Sequence, residues 1–302
     1  MRLIIARAHE SSGPPPPLVQ QLVAQMSPLW HDEGSTDSLS TPQERALARS
    51  LGWDPLALTD GAIAWAAWER HRAGLDAAGP AWGRLTPYHG VVGSVRITLL
   101  DPTQLELHEL ASRQLFDAVA PLFVSEGVRI EWFSPLAWHI QHESLEGLAC
   151  ASVDRVVGES VQQWQSRSAL GASRLIRRLQ NEAQMVLHEQ AQKTEGRAGQ
   201  MPVNSLWLSD CGTCPPGLAD AARACETPQL LKLGELEDAL RGRSVDDIEA
   251  LVVCGAHSSR AWTRRLVVGQ KGAWFHRLQQ MASGWLRPSP DKLMPSDWMQ
   301  RL

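Results

Sequence analysis

Two short spacings in this 302-residue chain have the form of metal or redox chemistry. Cys211-Gly-Thr-Cys214 has the knuckle spacing of a zinc or thiol–disulfide site, and Cys254-Gly-Ala-His257 repeats it with Cys and His. Each follows a stretch that reads as a strand. Ligands collect at the carboxyl ends of strands in open α/β sheets, so the two pairs are candidates to meet. Against this, residues 215–253 separate them, and Cys254 closes the apolar run Leu251-Val252-Val253, an ordinary place for a packed structural cysteine. Zinc, thiol exchange and inert packing stay open, and inert packing is the simplest reading; no metal or cofactor is expected.

A second group of residues suits an anion. Ser168-Ala-Leu-Gly171-Ala-Ser173 precedes a predicted helix that carries Arg174, Arg177 and Arg178 in its first turns. Free backbone N–H groups at a helix start, with guanidinium groups beside them, suit phosphate or carboxylate. The alternative is a solvated face in which Arg178 pairs with Glu182 one turn on. Arg177, Asn181, Gln184 and His188 form a stripe along the same helix. Two amides in such a stripe point to a second polar layer, and Asn204 on the next strand is the expected partner. The candidate ligand-binding set is therefore Arg177, Arg178, Asn181, Gln184 and Asn204, and no catalytic residue is assigned. Tyr88 and His89, expected in a turn, could act as acid or base, but packing or capping serves equally well. Gly-x-Ser-x-Gly, His-Glu-x-x-His and GxGxxG after a strand are all lacking, as is a Walker Gly-Lys-Ser/Thr pattern.

The element that must position the anion set runs over 174–212: a long helix, a polar loop over 192–202, and a strand over 203–209 that breaks at Asp210. Leu175, Ile176, Leu179, Ala183, Val186 and Leu187 recur at helical spacing, giving that helix one apolar face. Earlier, 3–6 reads as a buried strand and 18–26 as a helix. Thr41-Pro42-Gln43-Glu44 is an N-cap with Pro at the first helical position and Glu at the third. A helix is predicted over 61–69, turns over 79–89, one strand over 91–99, and a helix from Asp101 through Leu122. Strands follow at 128–133 and 137–140, and 147–164 reads as mostly helix. Toward the end come a helix over 230–240, strands at 248–254 and 262–268, and a helix over 271–285.

Net charge is −4, so no global field draws the chain to nucleic acid or anionic lipid. No stretch approaches the roughly 20 apolar residues of a membrane span. Five cysteines in an odd, scattered arrangement do not form a secreted disulfide framework, and a cytosolic location is expected. The 13 Trp against one Tyr read as core-edge anchors.

Several segments, taken in order, resemble one proteobacterial family: residues 39–49, Leu85-Thr-Pro-Tyr-His89, residues 151–158, Arg177-Arg-Leu-Gln-Asn-Glu182 and Pro202-Val-Asn-Ser-Leu-Trp207. The family is the cofactor-independent phosphoglycerate mutase-like group, or pathogenicity-factor regulatory proteins of E type. The resemblance spans roughly residues 1 to 280. The helix–loop–strand unit is also similar to a segment of the archaeal-type phosphoglycerate mutases. That class implies a Ser or Thr nucleophile and Asp/His ligands for two metals; here Asp60-Gly61 and His257 are isolated matches, and Cys211-Gly-Thr-Cys214 stands where a Gly-rich turn is expected.

The expectation is an α/β protein with a mixed sheet and flanking helices, one unit over 1–302, with an α+β insertion at 90–145 and a boundary near 166–173. The resemblance and the missing ligand set together point to a regulatory or binding role toward a small anionic ligand or partner. The alternative is a phosphomutase or phosphotransferase acting on phosphoglycerate-like substrates, with His89 or His257 moving protons.

Overall fold

The computed structural model describes residues 1–10, 16–53, 58–167, 174–193, 201–215, 217, 227–242 and 247–263. The predicted helix at 271–285 and the anion loop at 168–173 lie outside these residues, as does the strand end beyond Thr263. The architecture is α/β: one mixed sheet, two antiparallel sheets and flanking helices. The chain divides into two compact units, Met1–Leu58 with Ala224–Leu302, and Thr59–Arg223.

The first unit is built on a five-stranded sheet. Its strands are β1 (Arg2–Ala6), β2 (Ser27–Asp32), β9 (Gln229–Lys232), β10 (Ala250–Cys254) and β11 (Ser259–Thr263), in the order β2-β11-β10-β1-β9. β1 runs parallel to β10 and β9, whereas β11 and β2 are antiparallel additions. Alternation assigns the two faces. Leu3 and Ile5 with Leu251 and Val253 pack against Val19 and Leu22 of helix α1 (Pro17–Ala24). Ile4, Val252 and Cys254 pack on the opposite side with Ala46 of α2 (Pro42–Ser50). The predicted capping box is formed: the Thr41 hydroxyl accepts from the Glu44 N–H, and the Glu44 carboxylate accepts from the Thr41 N–H at 2.6 Å. One reading is corrected here. The apolar residues of 230–232 go into β9, Leu233–Glu235 form a 3-10 turn, and only Leu236–Ala239 (α8, the last helix among the described residues) is α-helical. β2 has no alternating signature, since Pro28 falls within it.

The second unit is built on an antiparallel sheet in the order β6-β7-β3-β8. Its strands are β3 (Trp82–Tyr88), β6 (Arg129–Ser134), β7 (Ala137–Gln141) and β8 (Ser205–Gly212). One face carries the larger core. There Leu85, Trp138, Ile140, Leu206 and Leu208 meet Val119 and Phe123 of α4 (Glu109–Ser125) and Ile176, Leu179, Ala183 and Leu187 of α7 (Arg174–Lys193). The other face lies under α3 (Trp65–Arg72).

Several expectations give way in this unit. The turn-rich stretch 79–89 contains the central strand β3, and its Gly83 and Pro87 do not break it. Gly83 lets Cys211 pack close, since a Cβ there would lie 3.0 Å from Cys211 Sγ. The single strand at 91–99 is a hairpin of β4 (Gly90–Val92) and β5 (Ile97–Leu99), closed where the Gly93 N–H donates to Arg96 O. The helix from Asp101 is interrupted by Glu106 at φ 47°, and α4 starts afresh with His108 as its cap. Gly158 at φ 78° divides 147–164 into α5 (Val153–Val156) and α6 (Val161–Arg167). β8 continues through Asp210 rather than stopping there, with Asp210 in the left-handed region at φ 63°.

Candidate functional site

The exposed side of α7 borders a groove of about 760 Å³ in the second unit. Because Ile176, Leu179, Ala183 and Leu187 are anchored in the core, helical periodicity turns Arg174, Arg177, Arg178, Asn181 and Gln184 outward. All five line the groove, with Gln162 and Gln165 of α6 also contributing. Its apolar part comes from Leu148 and Cys150 and from Leu206, Trp207 and Leu208 of β8. β8 is the outermost strand of its sheet among the described residues, so the groove runs beside a strand edge. Gln180 reaches that edge, its amide Nε2 donating to Leu206 O at 3.0 Å.

Each predicted ligand residue has a definite place. The Gln184 amide donates to Ser205 Oγ at 3.2 Å, so the stripe does meet the strand. It does not meet it through Asn204. Asn204 accepts from the Gly90 N–H at 2.8 Å and donates to Gly90 O at 3.0 Å, tying the start of β4 down, and it is not among the groove's lining residues. Arg178 is held by the Glu126 carboxylate, with Glu182 at 3.8 Å, so the pairing offered as the alternative is present alongside a second acid. No ion pair holds Arg174 or Arg177 among the described residues, and both side chains are exposed. His188 contacts Gln192 at 3.0 Å and lies outside the groove.

Tyr88 closes β3 and His89 follows it. Tyr88 is buried in β3, where burial raises its phenol pKa despite a hydrogen bond to Ser205. His89 Nδ1 is 2.7 Å from Pro202 O. Cys211 and Cys214 belong to one unit, Cys254 and His257 to the other. Among the described residues no group of three or more His, Cys, Asp or Glu side chains is placed to hold a metal ion. Cys254 is fully buried and burial pushes its thiol upward; burial raises the Cys214 thiol to about 11.

A row of charged residues crosses the opposite face of the same sheet, unnoticed in the sequence. Register aligns Glu131 of β6, His139 of β7, Arg84 of β3 and Ser209 of β8. From α3, Glu69 reaches Arg84 at 2.5 Å and His139 Nε2 at 3.3 Å, while Arg70 reaches Glu131 at 2.7 Å. Arg84 also meets Asp210 at 3.0 Å. Burial lowers the pKa of the wholly buried His139, outweighing Glu69. Burial raises Asp210 despite Arg84. For Glu69, burial is outweighed by His139 and Arg84, which hold it below the usual range. The signal was there in alternation: Arg129 and Glu131 are polar at every second position of one predicted strand, and His139 is the polar residue of the next. With α3 on top, this row clamps the sheet.

No family model and no curated relative matches this chain. Two solved structures are similar to it. One is the cofactor-independent phosphoglycerate mutase from Thermoplasma acidophilum DSM 1728, at 14% identity over 100% of this chain and 99% of that one, with a TM-score of 0.38. The other is the PH0037 protein from Pyrococcus horikoshii, at 11% identity over 87% and 86% of the two chains, also with a TM-score of 0.38. No described helix is long and apolar enough to cross a membrane.

Proposed function

We propose that the second unit binds a small anion, a phosphorylated or carboxylated compound, in the groove beside α7. The observation that carries this reading is the pair Arg174 and Arg177, one turn apart on a rigid helix, over a floor that includes Leu148, Leu206 and Leu208. Guanidinium groups match the geometry of carboxylate and phosphate, and Asn181 and Gln184 supply neutral donors beside them. Asn204 is not part of this set. The reading stops at binding: His89 does not line the groove, and His257 belongs to the other unit. The test is isothermal titration of the whole protein with 3-phosphoglycerate, a probe bearing both anionic groups. One site per chain is expected, weakened at least tenfold in the Arg174→Ala/Arg177→Ala double variant and unchanged in Arg113→Ala on α4. No binding by wild type, or equal binding by the double variant, would overturn the reading.

A further inference from the structure

The edge of β8 that faces the groove carries backbone groups left over from the sheet. The His142 N–H donates to Ala81 O at 3.2 Å, which extends the β3–β7 ladder and turns Ala81, Gly83 and Leu85 toward β7. Alternation then turns Arg84 and Thr86 toward β8. Ser209 and Trp207 therefore bond to β3, while Leu206 and Leu208 point their N–H and C=O groups the other way. Gln180 agrees with this phase, since its amide reaches Leu206 O from the groove side. Among the described residues the Leu206 N–H and both backbone groups of Leu208 meet no hydrogen-bond partner, although the two residues are only 3% and 7% exposed. A lone phosphate on the arginines would leave all three unmet.

The helix beside this edge has a fixed direction. Gln180 lies by Leu206 and Gln184 by Ser205, so α7 runs antiparallel to β8. Arg177 and Arg174 fall one and two turns back from Gln180, at Leu208 and beyond it. From Arg174 to Gln184 the helix covers roughly 15 Å, the length of about four or five residues of extended chain.

We propose that the ligand of this groove is the extended C-terminal end of a peptide, which adds to β8 as a parallel strand and places its terminal carboxylate on Arg177 and Arg174. This names the class of the anion in the reading above and rests on that reading. The peptide main chain gives one C=O to the Leu208 N–H, one N–H to Leu208 O and a second C=O to the Leu206 N–H. Its direction follows from charge: the arginines without an ion pair stand past Leu208, so the carboxylate does too, and the chain runs with β8. Leu206 O, already held by Gln180, asks for nothing from the peptide.

The test is titration of the whole protein, followed by 15N NMR, with the peptide acetyl-Ser-Thr-Val-Thr-Val bearing a free C-terminus. Its C-terminal amide and analogues N-methylated at one amide at a time are the comparisons. The free acid should bind at one site, compete with 3-phosphoglycerate, and slow exchange of the Leu206 and Leu208 amide protons at least tenfold. The amide should bind at least tenfold more weakly, as should the free acid to the Arg174→Ala/Arg177→Ala variant. N-methylation should weaken binding at alternate positions, because every second amide faces β8. Indifference to N-methylation, or a Leu208 amide that stays unprotected, would overturn the added strand. An amide that binds as tightly as the acid would overturn the carboxylate's place. A protein that sediments as a dimer with Leu208 already protected would seat a second copy on the edge and overturn the peptide. Binding of 3-phosphoglycerate without the peptide would overturn this inference alone, whereas binding of neither would overturn the groove reading with it.

Discussion

Two residues concentrate the electrostatic stakes of the fold. Asp32 at the end of β2 bridges Arg45 and Arg49, each at 2.7 Å, with all three side chains 13% exposed or less. Arg45 also donates to Ser40 O at 2.7 Å and His257 O at 2.8 Å, so one carboxylate organises the end of a sheet. Replacing it leaves two nearly buried guanidinium groups without their counter-charge; Asp32→Ala should cost about 3–5 kcal/mol by urea denaturation. His139 is the other. Its pKa in the fold lies below the unfolded value of 6.5, so below pH 6.5 the unfolded chain binds the proton that the native ring refuses. Stability is therefore fully present above that value and declines as pH falls from 6.5 toward the native pKa. His31, also lowered by burial, adds the same sign. Urea midpoints should drop between pH 8 and 5.5, and His139→Leu should remove part of that drop; an unchanged slope in the variant would contradict the assignment. Nothing in the local sequence distinguishes His139 from any other polar residue of an alternating strand. Its burial depends on α3 arriving from elsewhere in the chain.

At the scale of elements, α7 divides structural and chemical labour between its faces. Leu179 is fully buried, and Leu179→Ala should cost about 2–5 kcal/mol, read as a lowered denaturation midpoint. Arg177→Ala on the opposite face should change stability by no more than about 0.5 kcal/mol while weakening the anion. This division was legible, because apolar spacing sustained from Leu175 to Leu187 leaves little ambiguity. The same is true of the capping box of α2 and the paired strands β6 and β7. What could not be read was where a run stops. Gly158 divides a valine-rich stretch and Glu106 interrupts a helix, and both do so through positive φ that composition does not announce. β3 was hidden for the opposite reason: Gly83 and Pro87 look like breakers, yet one yields to Cys211 and the other sits where the strand needs no further donor.

For the whole molecule, the class was legible and the pairing was not. β1 finds its neighbours in β10 and β9 from the far end of the chain, and β3 pairs with β8 from beyond α4, α5, α6 and α7, so no local window contains either sheet. The candidate site follows the same pattern. Its arginines and amides were visible on one helix, whereas the floor of Leu148, Cys150, Leu206 and Leu208 exists only once β8 lies beside α7. The central claim is that this groove receives an anion, and Trp207 reports on it directly. Trp207 lines the groove, and its indole N–H donates to Ala151 O at 2.8 Å, next to Cys150. In a 15N-indole NMR titration of the 13 tryptophans, with Trp207 assigned through Trp207→Phe, 3-phosphoglycerate should shift the Trp207 peak saturably. Trp82 and Trp262, buried away from the groove lining, should stay in place. A Trp207 peak that does not move at saturating probe, or one that moves equally in the Arg174→Ala/Arg177→Ala variant, would contradict the account.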